Sequence, residues 1–506
     1  MQERKNSENK PIFITDLYTP EDRVMGTFWQ KNPYTLENMS RAFRSLRLTA
    51  VQSPVHTNYD LFALIALTWN DLSEIEDFPE ESFAEPFLFE MEKGGDYFTG
   101  DHRIPDIFHN RIVRYMMVKP GSRLPDIPKN QQIKLTSVYV PFYDENISKE
   151  LRGSLEEIAE RDYTGNTLET RSAFHPSALI TVWDSYFGEQ IGVQGLKIKA
   201  KRGLKWATGT TDENGYVQIH KTFKNNVNYS YEYSTDDMNI LNGREDKIGK
   251  EKGSIIKKIG KSDIKNNIYR WNHEIHQGVE IHYAHAFLGA YEMYHNNKYN
   301  LAPPYKRKNI FRTKLDIYVY DTERGGLLGG MIPVAPVHKS FIELYNSSTY
   351  GNMHRNFNQF MFSTTAHEIA HHTHWQNAKT NYILSLDNDI EGEYMRESWA
   401  LGVEEIYITQ FYPGITEVPL AQGSYTKIVR DMIDHFYNVG NDDEQGGFLN
   451  QDNPEPFDMV TGYSPKYIQD QVYASTSWQE WETNMRANSD NPTKSGLDDL
   501  FDYWWN

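Results

Sequence analysis

The chain has 506 residues, no cysteine and a formal net charge of −18 at pH 7, from 52 Lys and Arg against 70 Asp and Glu. This acidic balance argues against nucleic acid and anionic membranes as partners, because both bind basic surfaces. The absence of cysteine excludes disulfides and thiolate metal sites, so any metal ligand set consists of His, Asp and Glu. The 14% aromatic content favours globular domains with large cores, and the length predicts three or four of them.

The sequence contains no apolar run that could span a bilayer, since the longest, near Leu61–Trp69, falls far short of about 20 residues. The polar start, Met1–Lys10, lacks the apolar core of a signal peptide. It is typical of the tether that remains once a secretion or lipoprotein signal has been removed. We therefore expect an extracytoplasmic protein, secreted or lipid-anchored at a bacterial surface.

Residues 1–175 are predicted to form an N-terminal accessory domain, to which no chemistry can be assigned. Within it, Leu61–Trp69 indicates a buried element because it is almost continuously apolar. Lys134–Phe142 indicates a strand because it is rich in β-branched and aromatic residues.

Residues 176–240 are predicted to form a small β-sandwich. Asn214-Gly215 between two β-like runs is a hairpin-turn signal, because glycine accepts positive φ. The T-D-x-N-G-x-x-x-I pattern from Thr211 to Ile219 resembles carboxypeptidase-regulatory-like and bacterial Ig-like modules, which implies a spacer or binding module. A plain β-insert of the neighbouring domain is the alternative. The other strand-like runs lie at 178–183, 195–200 and 227–233.

The second half of the chain changes from a Lys- and Gly-rich linker at 240–268 to an α+β pattern over 270–412. The remainder, 413–506, is predicted to be a helical C-terminal subdomain rich in Trp and Tyr. The chain as a whole is thus predicted to be a multidomain α+β protein. The elements expected in 270–412 are a helix from about 274, strands at 314–321 and 340–346, and helices at about 353–376 and 391–412.

The segment Phe362–Trp375 contains the main catalytic motif of the sequence, H-E-x-x-H at His367, Glu368 and His371. Residues i and i+4 share one face of a helix, so both imidazoles can reach one Zn²⁺. Glu368 follows the first histidine and can act as a general base on a water at the metal. The motif is expected about 0.04 times by chance in a chain of this composition. The alternative is a histidine-rich helix face without catalytic meaning.

A third ligand is expected, because catalytic zinc usually takes three protein ligands. The ligand helix must approach the histidine helix closely, and Glu393 is flanked by the bulky Tyr394 and Met395. Glu397 and Glu404 have the small residues Ala400 and Gly402 beside them. From the residues alone, the choice between these two glutamates stays open.

H-E-x-x-H followed on the next helix by E-x-x-A resembles the gluzincins, the zinc metallopeptidase group of thermolysin and aminopeptidase N. The resemblance covers about 275–412 and implies a zincin-like catalytic domain, with a mixed sheet whose edge strand lines the substrate cleft. It implies that His367, His371 and Glu397 bind zinc and that Glu368 is the general base. It also implies that Ala400 is the small residue at the helix contact.

The sequence departs from the group's pattern in two places. Thermolysin-type enzymes carry an Asp four residues after the glutamate ligand to orient a zinc histidine, and here that position is Leu401. Glu404 or Glu393 is expected to replace it. No G-x-M-E-N motif is present, so aminopeptidase action is not supported. The candidates for stabilising an oxyanion are Tyr407, His435 and Tyr463.

Other histidines and an acidic loop are weaker candidates for metal sites. His372 and His374 are expected to be surface or second-sphere groups, and His276, His282 and His285 are expected to pack rather than to bind metal. Asp387–Gly392 begins like a calcium loop, but the twelfth position is Ser398 instead of the bidentate Glu of an EF-hand. A structural Ca²⁺ in this loop remains an alternative.

The sequence therefore predicts a zinc-dependent peptidase that acts on protein or glycoprotein. The alternative is a surface binding protein of zincin-like fold that captures protein or glycan, in which case the metal site would be blocked or Glu368 turned away from it.

Overall fold

The chain is a mixed α/β protein that divides into two compact units in the computed structural model. Unit 1 comprises Met1–Ile180, Leu196–Glu232 and Glu251–His273, and unit 2 comprises Thr181–Gly195, Tyr233–Lys250 and Glu274–Asn506. The structure describes residues 10–14, 23–25, 32–46, 54–76, 78, 97–99, 103–164, 173–202, 204–224, 227–243, 265–267, 270–296, 299–304, 314–320, 329–333, 340–345, 357–413, 415, 425–433, 460–487 and 489–505.

The described residues contain seventeen strands, eleven α-helices and four short 3-10 helices. The strands are β1 Arg23–Met25, β2 Tyr59–Ala66, β3 Tyr97–Thr99, β4 Ile112–Val118, β5 Gln132–Val138, β6 Ser177–Asp184, β7 Glu189–Gly192, β8 Lys197–Arg202, β9 Lys205–Thr210, β10 Tyr216–Gln218, β11 Val227–Glu232, β12 Met238–Asn242, β13 Lys265–Asn267, β14 Arg270–Ile275, β15 Leu315–Tyr320, β16 Gly329–Pro333 and β17 Ser340–Tyr345. The α-helices are α1 Leu36–Ser45, α2 Trp69–Glu76, α3 Lys149–Thr164, α4 Val279–His295, α5 Phe357–Ala378, α6 Thr380–Asp387, α7 Asp389–Phe411, α8 Ile428–Ile433, α9 Pro465–Ala474, α10 Trp478–Ala487 and α11 Leu497–Trp505. The 3-10 helices are Asp106–Phe108, Lys129–Gln131, Pro141–Tyr143 and Lys494–Gly496.

The core of unit 1 is built on an antiparallel sheet in the order β4-β2-β5. Its central strand β2 is almost wholly buried, because it is apolar on both faces and is paired on both edges. Helices α1 and α3 pack against each other in the same unit. The predicted buried element at 61–69 and the predicted strand at 134–142 thus correspond to β2 and β5, each displaced by a few residues.

A second sheet of unit 1 has the antiparallel order β13-β11-β8-β9. The predicted turn at Asn214-Gly215 is present, with Gly215 at φ 75° and its N–H bonded to the Asp212 carbonyl at 2.9 Å. The strand after this turn, β10, pairs with the start of β6 instead of forming a hairpin ladder with β9. The residues of the turn therefore determine its geometry but not the partner of the next strand.

Unit 2 contains a mixed sheet in the order β12-β15-β17-β16. β12, β15 and β17 are parallel, whereas β16 is the edge strand and runs antiparallel to β17. The predicted strands at 314–321 and 340–346 are β15 and β17. The edge strand β12 spans the boundary between the predicted β-sandwich and the predicted linker, and residues 244–264 of the linker lie outside the described residues.

Helix α5 is the centre of unit 2. Residues 361–374 are all buried, so the four histidines and the glutamate of this stretch lie in the interior together with its apolar and small residues. It packs against α4, α6, α7 and α9, and against strands β16 and β17. Gly289 of α4 allows a close approach, because a Cβ there would lie 2.5 Å from the backbone oxygen of Phe362.

The two observed units differ from the four predicted domains, 1–175, 176–240, 270–412 and 413–506. The residues of the predicted β-sandwich are divided between the units, and the division falls within strands β6 and β14. The C-terminal region is helical where it is described, with α8 to α11. None of the described helices combines the length and apolar character needed to cross a membrane.

Candidate metal centre

Helix α5 places the two motif histidines on one face, one turn apart. Their ring centroids are 4.8 Å apart, and the two Nε2 atoms approach to 3.2 Å. Both residues are buried, with relative exposures of 6% for His367 and 7% for His371. Two imidazole nitrogens that face each other at this distance need a proton or a metal cation between them, since their lone pairs would otherwise repel.

Helix α7 brings Glu397 to the same point. Its Oε2 atom lies 3.2 Å from Nε2 of His367 and 3.2 Å from Nε2 of His371. The three donor atoms therefore form an equilateral triangle. Of the described residues, His367, His371 and Glu397 are the one group of three with the spacing of metal ligands.

The dimensions of this triangle fit Zn²⁺. When ligands lie about 2.0 Å from a tetrahedral zinc, neighbouring ligand atoms are about 3.3 Å apart. The observed edges of 3.2 Å agree with this geometry. Two imidazoles and a carboxylate are also donors that zinc prefers, and they leave the fourth position open.

Glu404 contacts the other nitrogen of His367. Its Oε2 atom lies 3.2 Å from Nδ1 of His367, and its side chain is only 8% exposed. Glu404 follows Glu397 by two helical turns, so both carboxylates project from one face of α7. One histidine is thus held between two glutamates, which sets the direction of its ring.

The electrostatics of the cluster favour a positive charge. Burial by itself lowers the pKa of His367, but its contacts with Glu397 and Glu404 outweigh burial and raise the pKa to about 10. Burial raises the pKa of Glu397, but the two histidines outweigh it and hold that pKa well below its usual range. Glu397 is therefore ionised and available as a ligand.

Glu368 lies beside the cluster and is 6% exposed. Burial raises the pKa of its carboxyl group, while the adjacent His367 and His371 act in the opposite direction. The net shift is upward. A carboxylate with a raised pKa accepts a proton more readily than one in water, which is the property that a general base needs.

The cluster is more open at Glu397 than at the histidines. The Glu397 side chain is 21% exposed, compared with 8% for each histidine side chain. Of the three side chains, Glu397 is therefore the one that solvent reaches most.

The small residues of α7 act at two different contacts. Ala400 is fully buried, and α7 packs against α5. The expectation that Gly402 faces the histidine helix is wrong, because the nearest neighbours of a Cβ at Gly402 would be side-chain atoms of Val429 in α8, the closest at 2.3 Å. Gly402 therefore allows α8 to approach α7.

The structure adds Tyr425, which the sequence does not distinguish from the other 32 tyrosines of the chain. Burial, together with the nearby carboxylates of Glu397 and Glu368, raises the pKa of its hydroxyl well above the ordinary value. Its ring centroid is 5.7 Å from that of His367. Tyr425 precedes α8 in the chain, and no motif or spacing marks it in the sequence.

The predicted oxyanion candidates are not brought to the cluster where they are described. Tyr407 is buried, and the neighbours that act on its pKa are Glu292 and Tyr299. The hydroxyl of Tyr463 accepts a hydrogen bond from Ser489 at 3.2 Å. His435 lies outside the described residues.

The two histidines that follow the motif, expected to be surface or second-sphere groups, are both buried, which excludes the surface alternative. His372 is 3% exposed and His374 is fully buried. Burial lowers the pKa of His372 to about 4 and holds that of His374 well below its usual range. The His374 ring stacks on Tyr473, with ring centroids 4.7 Å apart. Both side chains belong to the packed interior around α5.

The histidines of α4 do not assemble a second metal group in the described residues. His285 is buried, with Nδ1 3.8 Å from Asp184 Oδ2, and the Tyr412 hydroxyl donates to the same carboxylate oxygen at 2.9 Å. His276 is exposed and lies 2.9 Å from Glu274. The acidic stretch Asp387–Gly392 lies at the junction of α6 and α7. Its described residues do not form a group with the spacing of metal ligands.

A scan against protein-family models and a search of curated proteins find no match to this chain. The functional interpretation therefore depends on the H-E-x-x-H motif and on the geometry of His367, Glu368, His371 and Glu397.

Proposed function

We propose that the protein is a zinc-dependent metallopeptidase of the gluzincin kind that acts on protein or glycoprotein. The observation that carries the proposal is the meeting of His367 Nε2, His371 Nε2 and Glu397 Oε2 at mutual distances of 3.2 Å. Glu368 lies between the two histidines in the sequence and beside this triangle, and its carboxylate can accept and donate a proton.

The side chains His367, His371 and Glu397 would hold the metal ion. Bound Zn²⁺ would supply Lewis acidity and lower the pKa of a water toward about 7. Glu404 would keep the His367 ring in place through Nδ1, and ligand histidines commonly have such a carboxylate partner.

Glu368 would perform the proton transfers of peptide hydrolysis. Its carboxylate accepts the proton of the attacking water, and the protonated carboxyl group then gives that proton to the nitrogen of the leaving amine. Burial is the main reason why the pKa of Glu368 is raised. The raised pKa supports this exchange, because the carboxylate then takes up the proton more readily before passing it on.

Strand β16 offers a place for an extended substrate backbone. It is the antiparallel edge strand of the sheet, and helix α5 contacts it. In the described residues no strand pairs with the other edge of β16. A free strand edge can hydrogen-bond to an extended peptide, so this position supports a peptide as the substrate class.

A surface binding protein with a zincin-like fold is the competing function. That function predicts a blocked metal site or a general base removed from it. The 21% exposure of the Glu397 side chain and the position of Glu368 beside both histidines support the peptidase instead.

Metal analysis combined with cleavage profiling tests the proposal. We expect about one zinc ion per chain, and we expect the protein to cleave peptides of a denatured proteome. Chelation should abolish cleavage and added Zn²⁺ should restore it. Stoichiometric zinc without any cleavage would favour the binding protein, and a chain that binds no zinc would overturn the proposal.

A further inference from the structure

Four large aliphatic side chains are exposed together at the junction of α6 and α7. They are Ile383, Leu384, Leu386 and Ile390, with relative exposures of 52%, 46%, 43% and 64%. A single exposed aliphatic residue is ordinary, but four within eight residues of chain form the kind of patch that marks an interaction surface. We infer that this aliphatic patch binds a basic amphipathic segment of a partner protein.

Helix α6 is not free to turn these side chains inward, because its other face is fixed to α7. The residues that α6 buries are Tyr382 and Ser385. The carbonyl and the hydroxyl of Ser385 both accept hydrogen bonds from the buried Arg396 guanidinium, the hydroxyl at 3.0 Å. Gly392 allows this contact, since a Cβ there would overlap the Ser385 carbonyl oxygen. The exposure of the aliphatic patch is therefore a fixed feature of the fold.

Aromatic side chains extend the apolar surface along α7. Tyr394 follows Ile390 by four residues, so both side chains project from one face of the helix. The ring centroid of Tyr394 lies 5.1 Å from that of Trp505, which is 36% exposed. Tyr and Trp are enriched in protein–protein interfaces, because they combine a large apolar area with a polar group. The chemistry of this surface therefore fits a protein segment better than a small polar ligand.

The surroundings of the aliphatic patch are acidic. The stretch 379–394 contains four Asp and Glu residues and one basic residue, Lys379. Asp387 at the end of α6 and Glu393 in the first turns of α7 are both exposed. The C-terminal end of a helix also favours nearby cations, which adds to the effect of Asp387.

A further carboxylate comes from α10. Asn388, at the junction of α6 and α7, donates from its side-chain amide to the Thr476 carbonyl at 3.0 Å. The Thr476 N–H and hydroxyl both donate to Oε2 of Glu480, at 2.8 and 2.7 Å. These bonds hold the exposed Glu480 near the patch. A partner with Lys or Arg at the margin of its apolar face would thus meet carboxylates from three helices.

The same charges argue against the other occupants of an apolar patch. A second copy of this chain, bound about a two-fold axis, would place two acidic margins against each other. An anionic lipid surface attracts basic segments and would be repelled by these carboxylates. An amphipathic helix with aliphatic residues at i, i+3 and i+4 and with basic margins matches both the apolar patch and its charge.

Two labelled peptides and the whole chain test the inference by fluorescence anisotropy. The first peptide is a helix of Leu and Lys with Leu at i, i+3 and i+4, and the second has Glu in place of every Lys. We expect the Lys peptide to bind the wild type saturably and the Glu peptide to bind at least about 10-fold more weakly.

Three variants assign this binding to the patch. Ile383→Ser combined with Ile390→Ser should weaken binding of the Lys peptide at least about 10-fold, because it removes the centre of the apolar contact. Asp387→Asn should weaken it about 2–5-fold, since it removes one exposed charge. The matched control is Ile107→Ser, which changes an isoleucine that is 76% exposed outside the patch and should bind as the wild type does.

Several results would overturn the inference. They are a Lys peptide that does not bind the wild type, equal binding of the two peptides, and wild-type affinity in the Ile383→Ser, Ile390→Ser variant. If that variant does not fold, wild-type affinity in Asp387→Asn overturns it instead. Self-association of the wild type, or its binding to phosphatidylcholine vesicles, would identify a different occupant if the Ile383→Ser, Ile390→Ser variant lost it. None of these measurements depends on zinc or cleavage, so the inference and the proposed function are tested separately.

Discussion

Glu404 and His367 contact each other on the side of the imidazole that faces away from the donor triangle. Nδ1 of His367 lies 3.2 Å from Glu404 Oε2, while Nε2 of the same ring lies 3.2 Å from Glu397 Oε2. The two glutamates come from one face of α7, yet they reach opposite nitrogens. This difference in position supports the proposal that Glu397 binds the metal and that Glu404 supports a metal ligand.

The two glutamates should therefore differ in their effect on zinc binding. We expect Glu397→Ala to lose zinc during dialysis, because it removes one of three ligands. Glu404→Ala should keep most of its zinc, with an affinity lower by about 10–100-fold. Metal analysis after dialysis against graded zinc buffers distinguishes the two. The reverse order would place the ligand at Glu404 and would contradict the observed triangle.

Glu368 should affect catalysis and not metal content. Glu368→Gln keeps the size of the side chain but cannot accept the proton from water. We expect about one zinc ion per chain and a turnover lower by at least about 10²-fold. The control is Glu393→Gln, which changes an exposed glutamate of α7. This variant should keep the zinc content and the turnover of the wild type. Unchanged peptide turnover in Glu368→Gln would exclude the general-base role.

Stability at mildly acidic pH should depend on His282. Burial, assisted by His285, lowers the pKa of His282 to about 4 from an ordinary value of 6.5. Between these two pH values the unfolded chain takes up a proton that the folded chain does not, so the free energy of unfolding falls as pH falls from 6.5 to 4. The loss from this residue is about 1–2 kcal/mol, less than the full shift implies because the side chain is partly exposed.

Urea unfolding at pH 7 and pH 4.5 measures this contribution. His282→Gln should lose less stability between the two pH values than the wild type does. His295→Gln changes an exposed histidine at the end of the same helix and should follow the wild type. An equal pH dependence in the wild type and His282→Gln would show that His282 does not titrate as described.

The contact between α4 and α5 should not tolerate a methyl group at Gly289. Gly289→Ala places a Cβ 2.5 Å from the Phe362 backbone oxygen, and neither helix can shift without repacking. We expect a loss of about 1–3 kcal/mol in the free energy of unfolding. Gly153→Ala in α3 is the comparison, since its nearest neighbour is the flexible Lys224 side chain at 3.2 Å. Alanine there should be neutral or stabilising by up to about 1 kcal/mol. Similar unfolding midpoints for the two variants would contradict the packing described.

Local patterns in the sequence were sufficient for several elements. The apolar run at 61–69 and the β-branched run at 134–142 become β2 and β5, and the two helices that carry the site begin and end within a few residues of the predicted bounds. Helical periodicity also places His367 and His371 on one face. These features depend on interactions within one or two turns, so residue type and spacing are enough to predict them.

Tertiary structure decided the features whose partners are distant in the chain. β12 joins the sheet of unit 2 because it pairs in parallel with β15. Its own five residues, MNILN, give little indication of a strand. β10 pairs with β6 and not with the strand before its turn. In both cases the pairing energy comes from another segment, so the local sequence does not contain it.

The candidate site divides in the same way. The sequence by itself determined the H-E-x-x-H pair and limited the third ligand to a few glutamates of one stretch, because each choice follows from helical spacing. Only the tertiary structure placed Glu397 Oε2 3.2 Å from both histidines, set Glu404 behind His367 and brought the Tyr425 ring beside His367. These contacts join residues separated by 26 or more positions along the chain, and their distances depend on how α5, α7 and the residues before α8 pack.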